Sequence, residues 1–99
     1  STSEAITASG STASINLTSA VTEVNATSAT APLTLADGAN GQIKTVINIS
    51  SSGTNAVTVT PTNLRGHTSI TLNAPGETIT LIFKNSNWNI ISGHNYTVA

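Results

Sequence analysis

The chain contains no cysteine and no methionine, one residue each of Phe, Trp and Tyr, and only 7% charged residues. Without cysteine there is no disulfide, no thiolate nucleophile and no Cys-ligated zinc, so the fold rests on packing and hydrogen bonds alone. The three cations, Lys44, Arg65 and Lys84, are too few for the basic stripe that phosphate contacts require, and no nucleic-acid partner is expected. No apolar run nears the ~18 residues of a membrane helix. The opening STSEAITASG lacks the basic start and apolar core of a signal peptide, so the expectation is a soluble domain with no membrane partner. The start without Met is read as the result of processing or of excision from a longer chain.

What is present is small, polar and uncharged. Eighteen Thr, thirteen Ser and eleven Asn stand beside ten Ile and six Val in 99 residues. Disordered chains are poor in β-branched residues and carry high net charge, whereas here Ile, Val and Thr are abundant and the net charge is −1. Stiff branched side chains suit a pleated sheet, and the length suits a single domain, so the fold class is all-β with one domain over residues 1–99.

Two-residue periods mark the strands. Ile43, Val46, Ile47 and Ile49 fall in a stretch whose odd positions are mostly apolar. Val57 and Val59 alternate with Thr58 and Thr60, Ile70 and Leu72 with Thr71 and Asn73, and Ile79, Leu81 and Phe83 with Thr80 and Ile82. A fifth strand runs from Trp88 to Ile91. Asp37-Gly38, Asn40-Gly41, the stretch 51–55, Pro75-Gly76 and the stretch 85–87 read as turns, because Asn, Asp and Gly accept positive φ. No helical spacing persists for three turns. Two segments, 41–59 and 76–91, read as a weak hairpin echo and not as a solenoid period.

Residues 1–30 differ. Their large apolar residues are only Ile6, Ile15, Leu17, Val21 and Val24, too sparse to order a segment alone. The expectation is an N-terminal arm or short strands lying against the remaining domain or a neighbouring copy, with those five residues as subunit or capsid contacts. The main β core is then 31–99, and it would stay folded without residues 1–20.

Little in the chain points to catalysis. Glu4, Glu23, Asp37 and Glu77 have no spacing that pairs them for acid–base work. His67 and His94 lack metal-ligand spacing, and no serine sits in a nucleophile elbow. Asp37 to Gly41 reads as a turn better than as a calcium loop. The four sequons at Asn16, Asn25, Asn48 and Asn95 follow from the Asn, Ser and Thr content. Trp88 and Tyr96, with nearby amides, have the chemistry of a sugar platform, but alternation sets Trp88 on the face of Ile90 and favours a core tryptophan. No catalytic residue, metal or cofactor is expected.

The order GQIKTVINIS (41–50), AVTVTPTNLRG (56–66) and TSITLNAPGETITLIFKNSNWNIISG (68–93) resembles a small β domain of tailed-bacteriophage virion proteins, found in capsid decoration and head-fibre proteins and in tail-fibre modules. The resemblance covers roughly residues 31–99, with 15–30 matching more loosely. It implies a homotrimer of antiparallel β-sandwich or jelly-roll-like subunits. Pro61, Gly66, Asn73, Ala74, Gly76, Asn87 and Trp88 would be scaffold positions. The implied function is a non-enzymatic, trimeric cement protein on the outer surface of the virion, with the major capsid protein as partner. One alternative is a tail-fibre or spike module binding a cell-surface glycan through the Trp88–Tyr96 region. Another is a subunit of an extracellular fibre or surface layer. Trimer closure would cover exposed strand edges and add buried area to a small core.

Overall fold

Alternation in the second half of the sequence places its apolar residues as expected. Val57 and Val59, Ile70 and Leu72, and Ile79, Leu81 and Phe83 all point inward and are buried. The computed structural model describes residues 2–99, among which there is no helix. Ten strands run in the order β1 (Ser3–Ala8), β2 (Ala13–Ser14), β3 (Val21–Ala26), β4 (Thr30–Leu35), β5 (Ile43–Asn48), β6 (Ala56–Pro61), β7 (Ile70–Leu72), β8 (Thr78–Lys84), β9 (Asn87–His94) and β10 (Thr97–Val98). They form two five-stranded sheets, β1-β3-β5-β8-β9 and β10-β7-β6-β4-β2. One apolar core joins their inner faces.

The expected antiparallel sandwich is corrected to a pair of mixed sheets. From β1 to β6 the chain alternates between the sheets, and each return lays a strand parallel to its predecessor: β1 with β3, β3 with β5, β2 with β4, and β4 with β6. Parallel neighbours need a crossover, usually a helix. Here a strand of the opposite sheet fills that place. The pairings Ser3 with Val21 and Val21 with Thr45 set coils of unequal length, so the winding leaves no fixed period in the sequence. After β6 the pairing changes. β7 lies antiparallel to β6, β8 to β5 and β9 to β8, and β10 closes on β7.

Residues 1–30 contribute short strands to this same domain. β3 lies inside the first sheet, between β1 and β5. Ile15 and Val24, expected as contacts, are 4% and 0% exposed within the core and offer nothing to a partner. Ile6 and Leu17 pack against that core. Ala8 joins Ile15 in it, so this segment packs as short strands of the one domain and not as an arm extended away from it.

A second correction concerns β5, which is turned over relative to its apolar pattern. Lys44, Val46 and Asn48 face inward and are wholly buried, while Ile43 and Ile49 are 53% and 44% exposed. Hydrogen bonding explains the reversal: the inward Lys44 and Asn48 each find partners inside, described below, and buried polar groups are tolerated when so satisfied.

Most turns match their sequence signals. Gly41, Gly66 and Gly76 have φ of 86°, 83° and 89°, and Asn85 and Ser86 carry positive φ at the β8–β9 hairpin. Asp37-Gly38 is the exception, since no turn forms there and Gly38 has no positive φ. A Cβ there would lie 2.9 Å from the Trp88 ring, so close packing, not a turn, requires the glycine. Of the other scaffold positions, Pro61 is buried at the end of β6, and Asn73 donates its backbone N–H to Glu77 Oε1 at 2.6 Å.

Candidate functional site

Two features stand out from the fold: a polar cluster inside the first sheet and an apolar face outside it. The cluster begins on β1 and β3, where the parallel register sets Glu4 beside Thr22. Glu4 Oε1 accepts from the Thr22 hydroxyl at 2.9 Å and from the Asn16 backbone N–H at 3.0 Å. Asn16 Oδ1 accepts from the Ser19 N–H at 3.0 Å. Lys44 reaches this loop from β5: Nζ donates to the Ser19 carbonyl at 2.7 Å and lies 3.5 Å from Asn16 Oδ1. Burial pushes the Lys44 ammonium below the usual lysine range, and the Glu4 carboxylate acts against that shift.

At the other end of β5 the Asn48 carboxamide is fully used. Its Nδ2 donates to the Asn55 and Leu72 carbonyls at 3.1 and 3.0 Å, and its Oδ1 accepts from the Ser50 N–H and hydroxyl at 2.9 and 2.6 Å. Ser50 Oγ in turn accepts from the Ala26 N–H at 2.9 Å. These bonds join the ends of β3, β5 and β7, so this cluster is architectural.

The outer face of the first sheet follows from the reversal of β5. Register aligns Ile43 with Ile82, Val21 with Thr45 and Thr80, and Glu23 with Ile47 and Thr78. Cross-strand partners share a face. The result is a surface of Ile, Val and Thr in which Thr45 and Thr80 hydroxyls bond at 3.0 Å. Its ionisable groups are Glu23, His94 opposite Thr78, Lys84 at the end of β8, and Arg65, whose Nε donates to Asn89 Oδ1 at 2.7 Å opposite Ile82. A bulge at Thr80/Leu81 inserts Ile91 into β9, where it is 51% exposed. Of the five expected contact residues, Val21 alone lies on this face. Alternation gives the isoleucines of β5 a common side, but not which side is inside.

The remaining sequence candidates stay apart. Trp88 is 0% exposed, with Nε1 donating to the Ala36 carbonyl at 2.9 Å and its ring edge-on to Phe83 at 5.3 Å. It therefore presents no face to a sugar. Asp37 accepts from Asn63 Nδ2 through both oxygens at 3.0 Å, Glu77 holds the Asn73 backbone, and Glu4 holds Asn16. His67 lines an open cleft of about 320 Å³ with Pro61, Asn63, Leu64 and Asn87. Among the described residues no three His, Asp or Glu side chains gather as metal ligands. The chain matches no protein-family model and no curated protein.

Proposed function

We propose that this chain is a non-enzymatic structural protein of a tailed-phage virion, a trimeric decoration protein that binds the outer capsid surface and stabilises the shell, with the major capsid protein as its partner. The observation that carries the reading is the outer face of the first sheet, where Ile43 is about half exposed on the same side as Val21, Ile47 and Ile82. Such a face suits burial against further copies of the chain, because its apolar and threonine side chains carry few charges between them, Glu23 beside Ile47 being the central one. With few charges for steering, the assembly tolerates salt. Asp37 and Glu77 serve as hydrogen-bond acceptors for the scaffold and lie apart from each other, which supports a role in architecture over catalysis on an outside substrate. The glycan-binding alternative loses its strongest residue with Trp88 in the core.

Purified particles probed with gold-labelled antibody against this domain test the proposal. Label spread over the head surface is the expected result. Label confined to tail fibres, or a complete absence of the protein from particles, overturns it.

A further inference from the structure

Lys44 carries its amine from β5 into the interior, and both groups within its reach are neutral: the Ser19 carbonyl at 2.7 Å and the Asn16 carboxamide oxygen at 3.5 Å. An ammonium held in this way is costly, since neither acceptor is charged and the Glu4 carboxylate offsets the burial only in part. A buried amine beside a half-buried carboxamide also brings together the two reactants of an amide exchange. We propose that Lys44 Nζ and Asn16 Cγ join in an intramolecular isopeptide bond, with Glu4 as the group that carries the proton.

The chemistry balances without any added reagent. The lone pair of the neutral Lys44 amine attacks Asn16 Cγ, forming the N–C bond and moving charge onto Oδ1. Collapse of that intermediate breaks the Cγ–Nδ2 bond, and ammonia leaves. The proton lost by the attacking nitrogen passes through the Glu4 carboxylate to the departing nitrogen, so Glu4 ends unchanged.

Each demand of this reaction has a counterpart in the site. Desolvation favours the neutral amine, which is the nucleophile. The Ser19 N–H already donates to Asn16 Oδ1 at 3.0 Å, the position at which negative charge develops. Glu4 grips Asn16 by its backbone N–H at 3.0 Å and is the charged group acting on Lys44. Asn16 is only half-buried, which gives ammonia a way out. The product removes the buried charge, and its new amide N–H takes over the bond to the Ser19 carbonyl. The link would tie the loop before β3 to β5 across the first sheet, supplying a cross-link in a chain that has no cysteine.

Intact-mass measurement of the folded chain after prolonged incubation at neutral pH tests this directly. The expected mass is lighter than the sequence by one ammonia. Succinimide formation at Asn40-Gly41 would produce the same deficit, so a tryptic map accompanies the mass. In the linked chain the bond after Lys44 resists trypsin, leaving residues 1–65 as one fragment. Asn16→Ala and Lys44→Met should both return to full sequence mass with cleavage restored at any basic residue left at position 44. Glu4→Gln keeps an acceptor for Asn16 and Thr22 but carries no proton, and it should stay folded by circular dichroism at full mass. A wild-type chain at full sequence mass, cut freely after Lys44, overturns the proposal. So does a deficit that persists in Asn16→Ala, and a deficit formed equally fast in Glu4→Gln removes Glu4 from the reaction.

Discussion

The winding of β1 to β6 and the antiparallel part from β7 to β10 build the same two sheets by different means. In the second part the inward residues Ile70, Leu72, Ile79, Leu81, Phe83 and Trp88 are all apolar and buried. In the first, the inward face of the first sheet carries Glu4, Thr22, Lys44 and Asn48 among its apolar residues. Their connections differ as well. Positive φ occurs at Gly66, Gly76, Asn85, Ser86 and Asn95, whereas among the described residues of the winding Gly41 alone has it, on the β4–β5 crossing. Hairpins must reverse the chain within a few residues and need the left-handed region, while crossings between sheets spread the change of direction over a longer path. The antiparallel part is thus specified by apolar packing and local turns, whereas the winding adds buried polar bonds in the first sheet to the apolar packing of Leu33, Leu35, Val57 and Val59 in the second.

Removing the largest apolar anchor of the antiparallel part gives the largest effect. Trp88→Ala leaves a cavity under Phe83 and Gly38 and breaks the bond to the Ala36 carbonyl, for an expected loss of about 3–5 kcal/mol. Denaturant midpoints measure it. Wild-type emission should be blue-shifted, and a red-shifted wild type with an unchanged mutant midpoint would refute the core assignment.

The corresponding change in the winding removes a polar anchor. Asn48→Ala leaves the Asn55 and Leu72 carbonyls and the Ser50 N–H without their partner, at an expected cost of about 2–3 kcal/mol. Asn48→Leu should do no better, although Leu is the apolar residue that alternation would place inside. A stable Asn48→Leu protein would show that the winding, too, is held by apolar packing, and the contrast between the two parts would fail.

The same contrast explains what could be read from the residues alone. The all-β class and most turns were legible because Val57, Val59, Ile79 and Leu81 alternate cleanly and Gly41, Gly76 and Asn85 occupy left-handed positions. The parallel winding was hidden, since its coils differ in length and the turns on its crossovers, at Asn40-Gly41 and 51–55, look the same as hairpin turns. The facing of β5 was hidden for another reason. Period two fixes which side chains share a side, and only the partners of Lys44 and Asn48, distant in sequence, decide which side is buried. The Lys44–Asn16 juxtaposition follows from that facing, so no spacing in the sequence announced it.

The smallest expected change in stability lies where the two parts meet, at the β5–β8 pairing. Ile43 faces outward opposite Ile82 and is 53% exposed. Placing a charge there buries nothing in the single chain, so Ile43→Lys should shift stability by no more than about 0.5 kcal/mol. Its effect on assembly should be far larger, because the same position in a contact between copies would force an unpaired ammonium out of water. Light scattering should therefore give a trimer mass for the wild type at micromolar concentration and a monomer mass for the variant, with matching circular dichroism. A wild-type monomer would remove the trimer. An Ile43→Lys trimer would leave the outer face free and move the contact to another surface. A variant that unfolds would show that Ile43 belongs to the core after all, and with it the reversal of β5 would be wrong.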